Sequence, residues 1–165
     1  MLPTSEVLKA AEDKRDELLK LDRWAAAFKD AKAEEPLLVG GRPERDYYIV
    51  EFRQDGRTTG LMRVNASTGT VGAFTGIQKA GTSLYRFYRP TEIPDIVAQQ
   101  SDVLARPVEP KDVHVEPTLH WVACDQSVTP FMPFYVATVP GVKDVVYVRV
   151  DGRVSPRLTH GAAGM

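Results

Sequence analysis

The chain has 165 residues, 43% of them apolar and 26% charged, with a formal net charge of −1. These values suit one ordinary core and exclude global disorder and a phosphate-binding surface spread over the whole molecule. No run of about 18 consecutive apolar residues offers a membrane-spanning helix. A single cysteine, Cys124, rules out an intramolecular disulfide, and the N-terminus lacks a signal-peptide core, so a reducing, cytoplasmic home is the simplest expectation.

Thr4 to Lys32 is predicted to form one long helix. Val7, Ala11, Leu18, Leu21, Ala25 and Phe28 step by three and four residues, interrupted at Lys14, and Trp24 widens the stripe. Thr4 or Ser5 is placed to cap the first turn, and Glu34-Glu35-Pro36 ends the element. Tyr47 to Phe74 follows as three antiparallel strands. Asp55-Gly56 and Ser67-Thr68-Gly69 supply the positive φ angles of the two corners. Tyr48, Val50 and Phe52 share one face opposite Met62 and Val64, while Tyr47, Glu51 and Arg53 point to a second face expected to be partly wet. A fourth strand is expected at Ser83 to Tyr88, after a turn at Gly81.

A second, smaller half begins at Thr91. Ile96, Val97, Gln100, Val103 and Leu104 make an amphipathic helix stopped by Pro107. Strands are expected near Leu119–Cys124, Pro133–Val139 and Asp144–Val150, with turns at Pro140-Gly141 and Asp151-Gly152 and a loose tail over 158–165. The fold class is therefore α+β: a long N-terminal helix on an antiparallel sheet, then a smaller helix-plus-strands half. A single compact domain over 1–165 is favoured on size, with two similar halves, 1–90 and 91–157, as a pseudo-repeat. Tyr48 precedes Arg63 by 15 residues and Tyr135 precedes Arg149 by 14, each in a hairpin-like context.

The chemistry-bearing residues are few. Cys124 lies near His114 and His120, and a thiol with an imidazole in reach can act as a nucleophile. Along an extended strand, however, His120 and Cys124 would stand about 13 Å apart at roughly 3.3 Å per residue, and Trp121-Val122-Ala123-Cys124 reads as a buried run in which a thiol is inert. His114 and His120 are also poorly spaced as zinc ligands, so neither metal nor cofactor is expected. In the stretch 127–135, Pro130 and Pro133 interleave Phe131, Met132, Phe134 and Tyr135, which suits either a stiff loop packed on the core or an exposed recognition surface. Residues 41–90 hold eight Lys/Arg against four Asp/Glu. Within them Arg86, followed by Arg89, alternates with Tyr85, Phe87 and Tyr88. Without a wider basic field this is not a nucleic-acid surface, but both arginines are candidates for contacting an acidic partner.

The run YYIVEFRQDG followed by LMRVNASTGTV resembles the PepSY family, over about residues 5–76. The family's turn is matched by Val64-Asn65-Ala66-Ser67-Thr68-Gly69-Thr70-Val71, with Asn65 where Asp is usual. The resemblance implies a helix followed by a small antiparallel sheet, in a non-catalytic domain that binds or inhibits another protein. The expected function is thus a non-enzymatic module for a protein or peptide partner, with a regulatory, inhibitory or adaptor role, and Phe131, Met132, Phe134, Tyr135, Arg86 and Arg89 as binding residues. The alternatives are a Cys124-dependent hydrolase or transferase assisted by His120 or His114, and a structural subunit of a larger assembly.

Overall fold

A computed structural model describes residues 1–41, 45–77 and 86–161. The chain is α+β, with mostly antiparallel strand pairing, and divides into two compact units, Met1–Arg86 and Phe87–Met165. Phe87 is a fully buried core residue.

In the first unit, helix α1 (Thr4–Leu18) is followed by a single 3-10 turn at Asp22–Trp24 and a short helix, α2 (Ala25–Phe28). The long helix expected over 4–32 is therefore broken. A continuous helix of that length would run about 43 Å, whereas the longest strand beneath it, of nine residues, spans about 30 Å. Leu21 takes an extended backbone at the break and is 47% exposed, so it leaves the apolar stripe. Val7, Ala11, Leu18 and Phe28 stay on it and are buried. Neither Thr4 nor Ser5 caps α1. Pro3 occupies the N-cap, without a side-chain bond.

Two strands follow where no strand was expected, β1 (Lys32–Ala33) and β2 (Leu37–Gly40), and both pair with β3 (Tyr47–Gln54). The hairpin of β3 with β4 (Arg57–Asn65) turns on Asp55 and Gly56, at φ of 51° and 76°, with Gln54 directly opposite Arg57. Both central residues are left-handed, as a type I′ turn demands. The next corner leads to β5 (Val71–Gly76). Here the Asn65 side-chain oxygen accepts from the amides of Ser67 and Thr68, each at 2.9 Å, and Gly69 sits at φ 74°.

The expected face is formed. Tyr48 lies opposite Val64 and Val50 opposite Met62, and with Phe52 they pack under Val7, Ala11, Leu18 and Phe28. Phe28 meets Phe52 edge-on at 5.1 Å between ring centroids, and the half-buried Trp24 meets Phe74 edge-on at 4.9 Å. The Phe28 ring lies over Gly60, where a Cβ would overlap it. The second face is not wet at its centre. Ile49 and Leu61 are buried, and Glu51 is 1% exposed, its carboxylate accepting from the Thr58 hydroxyl and, at 2.9 Å, from Arg53 Nε. Burial also pushes the Tyr47 phenol above its ordinary range, in spite of the Arg63 guanidinium 5.4 Å from its ring.

In the second unit a 3-10 turn at Pro90–Glu92 leads into α3 (Ile93–Gln99), and a further 3-10 turn, Ser101–Leu104, ends at the left-handed Ala105. Ile93, Ile96 and Val97 are buried, but Val103 falls in the looser turn and is exposed. Strands β6 (His114–Val115) and β7 (Leu119–His120) both pair with β8 (Phe134–Thr138), which pairs with β9 (Val146–Arg149), and β9 with β10 (Val154–Ser155). The strand expected over Leu119–Cys124 thus stops at His120. The tail expected from 158 is held as far as Thr159, whose backbone and hydroxyl bond Asp125 and Gln126. Residues 83–85 of the expected fourth strand lie outside the described residues, and 86–88 form no strand.

Each unit ties the residue ahead of its first helical turn to its own hairpin. The Leu2 amide donates to Ala66 O at 2.8 Å, while Leu2 O accepts from the Tyr48 hydroxyl at 3.4 Å. The Tyr88 amide donates to Val150 O at 2.8 Å, while Tyr88 O accepts from the Tyr135 hydroxyl at 2.7 Å.

Two stability changes follow from these contacts. Phe28→Ala empties the space between α2 and β4 and should cost about 3–5 kcal/mol in urea unfolding. An unchanged midpoint would contradict the helix-on-sheet packing. Gly56→Val meets no neighbouring atom, so its cost is backbone strain alone, about 1–2 kcal/mol. A loss below a few tenths would mean that the turn does not need its left-handed glycine.

Candidate functional site

The segment between β7 and β8, residues 121–133, is neither strand nor helix, yet its backbone is fixed at several points. Cys124 and Ser127 exchange two backbone hydrogen bonds, Cys124 N to Ser127 O at 3.0 Å and the reverse at 3.1 Å, closing a turn through Asp125-Gln126. The buried Ser127 hydroxyl lies 2.7 Å from Met132 O and 3.1 Å from Thr129 O, and the Met132 amide donates to Thr129 O at 3.0 Å. Gln126 O accepts from Arg149 Nη1 at 2.7 Å, and that guanidinium is itself held by both carboxylate oxygens of Asp151, at 2.6 and 2.7 Å. The Gln126 side chain bonds Thr159 in both directions, at 2.9 and 3.0 Å.

With its polar groups other than the exposed Asp125 carboxylate committed inward, the loop turns apolar side chains outward. Val128 is 85% exposed and Val122 48%, and Ala123 is exposed beside the Cys124–Ser127 bridge. Trp121, Pro130, Phe131 and Met132 are half-buried around them. The Trp121 indole N–H is enclosed without a hydrogen-bond partner. Stiffness comes from this network as well as from Pro130 and Pro133.

The expected binding residues separate accordingly. Phe131 and Met132 belong to the partly exposed loop. Phe134 and Tyr135 do not, since both are core residues of β8, and Tyr135 spends its hydroxyl on the Tyr88 carbonyl. Arg86 and Arg89 are half-buried, and the Arg89 amide donates to Glu92 Oε2 at 2.7 Å at the start of the 3-10 turn. Of the aromatic residues interleaved with them, Phe87 is inside the core, and the Tyr88 ring lies so close to Gly152, at φ 97°, that a Cβ there would press on it. Tyr85 lies outside the described residues. Val122 and Val128 were not expected on the surface. The apolar run ending at Cys124 suggested a buried strand, whereas the polar pair Asp125-Gln126 was the signal for a turn.

Cys124 is buried, at 6% exposure. His120 Nε2 lies 3.2 Å from Glu116 Oε2 on the surface, and His114 is exposed. No imidazole is hydrogen-bonded to the thiol, and no cluster of three metal-ligating side chains forms, among the described residues. No helix among them is long and apolar enough to cross a membrane.

Compared with protein-family models, with curated proteins and with solved structures, the chain matches none.

The burial of Cys124 predicts slow iodoacetamide labelling of the native protein and fast labelling after unfolding, read by mass spectrometry. Stoichiometric modification of the folded chain within minutes would show a thiol far more accessible than the fold places it.

Proposed function

We propose that this chain is a non-catalytic module that recognises a protein or peptide partner through the loop 121–132 of its second unit. The observation that carries this reading is the division of labour within the loop, whose polar groups other than the exposed Asp125 carboxylate are bonded inward while Val128, Val122 and Ala123 face out. A surface already held in one conformation loses little entropy when it binds, so a modest apolar area suffices for useful affinity. Phe131 and Met132, half-buried at the loop's rear, supply adaptable apolar contacts of the kind enriched at interfaces. The partner this surface fits presents apolar side chains.

The PepSY resemblance of the first unit supports the same class of function, because domains of that kind act by binding. We also read the two units as versions of one repeat. In each, a helix precedes two short strands that pair with the first strand of a hairpin, and a further strand pairs with the second. Each carries the same tie from the pre-helix residue to a buried tyrosine and to the end of the second hairpin strand. The Glu34 amide donates to Glu51 O and the Glu116 amide to Val136 O, in both cases within two residues of a proline. A cytoplasmic setting accords with the single unpaired thiol.

Selection of peptides from a displayed library against the full chain tests the reading. Binders should lose about tenfold or more in affinity against Val128→Asp, while the unfolding midpoint changes by less than about 0.5 kcal/mol because the side chain is exposed. Binders indifferent to charge at both Val128 and Val122 would remove the loop from the recognition surface.

A further inference from the structure

We propose that β5 pairs edge to edge, antiparallel, with the same strand of a second copy of this chain, so that the first unit is a homodimerisation element. This goes beyond partner recognition by the loop and uses a different surface, so either can fail without the other.

β5 has β4 as its one strand partner among the described residues and stands at the end of the first unit's strand order. The direction of its backbone groups follows from the pairing. The Ile77 amide donates to Thr59 O at 2.9 Å. In an antiparallel ladder the bonding alternates, so Thr75 and Ala73 also face β4, opposite Leu61 and Arg63. Phe74 and Gly76 therefore turn their N–H and C=O away from β4, toward the open edge.

Natural sheets blunt such an edge with lysine, proline or an inward charge. The sequence Val71-Gly72-Ala73-Phe74-Thr75-Gly76 has none of these, and its one irregularity, a bulge at Gly72, lies at the start of the strand, ahead of Ala73 to Gly76. The corresponding outer strand of the second unit, β10, is only two residues long and presents almost no edge.

The occupant follows from the order of the residues. A twofold axis places every residue opposite its mirror position, so the strand must match itself read backwards, and an uncharged strand sets no like charges against each other. Gly72-Ala73-Phe74-Thr75-Gly76 reads nearly the same in both directions about Phe74. Antiparallel self-pairing centred on Phe74 sets glycine against glycine at both ends and alanine against threonine between. At the centre, the two Phe74 residues exchange their outward backbone bonds, with Cα atoms about 5.5 Å apart. The Phe74 ring is only half-buried beside Trp24, so a second ring can cover its free side. Lys14 lies 5.6 Å from that ring, and Glu17 offsets its charge at 2.9 Å.

Sedimentation velocity over a concentration series of the full chain tests the pairing. The wild type should pass reversibly from monomer to dimer. Ala73→Lys with Thr75→Lys in one chain puts lysine opposite lysine at both ends of the pairing and should weaken dimerisation about tenfold or more. The matching Glu pair should do the same, and an equal mixture of the two variants should recover a dimer near wild-type strength. Should the charged variants fail to fold, hydrogen exchange on the wild type decides alone. The outward amides of Phe74 and Gly76 should gain protection as concentration rises, while the inward Thr75 amide is protected at every concentration. A wild type that stays monomeric throughout, concentration-independent exchange at Phe74 and Gly76, or folded charge variants whose mixture does not associate would each overturn the proposal.

Discussion

Each unit depends on one constraint, the fixing of the residue ahead of its first helical turn by both of its backbone groups. Leu2 is tied to Ala66 and the Tyr48 hydroxyl, and Tyr88 to Val150 and the Tyr135 hydroxyl. A buried tyrosine hydroxyl without a partner would cost about 1–3 kcal/mol, so the tie satisfies the tyrosine and positions the chain together. From Leu2 the chain turns directly into α1, whose buried stripe Val7, Ala11 and Leu18 then falls on Tyr48, Val50, Met62 and Val64. Where the helix lies is decided by its entry point as much as by its apolar face.

Turn chemistry is local, which is why the hairpins were the most legible part of the sequence. Asp55-Gly56 and the Asn65-to-Gly69 corner need nothing beyond their own residues to close, and the strand partners follow by counting outward from them. The break after Leu18 is not local. It answers to the size of the sheet below and to Gly60, which opens room for Phe28, and neither shows in the periodicity of residues 4–32. β1 and β6, of two residues each, carry no alternation long enough to read and exist because a longer strand is beside them.

The candidate loop was half legible for a related reason. Proline and aromatic spacing marks 127–135 as unusual, but the pattern cannot say which aromatics face inward. That is settled by pairing. Phe134 lies opposite Arg149 and Tyr135 opposite Val148, which draws both into the sheet, while Phe131 and Met132 stay in the bonded turn ahead of it. The network that holds the turn, from Arg149 and Asp151 through Gln126 to Thr159, joins positions more than twenty residues apart. No sequence pattern connects such residues.

Glu51 shows how a costly residue can specify a fold without serving a site. Its carboxylate is buried but bonded to Thr58 and Arg53. A paired buried charge of this kind contributes little net stability over an apolar replacement. Its effect is on the alternatives. Because side chains alternate along a strand, a slip of β3 by one residue would move Glu51 to the helix-facing side, among Phe28, Met62 and Val64, and away from the Thr58 hydroxyl of β4. The same slip would take Val50 and Phe52 out of the core. The apolar face of β3 thus rewards one register while Glu51 penalises its neighbour, and a strand whose second face is also largely buried needs that asymmetry, since burial alone would accept either side.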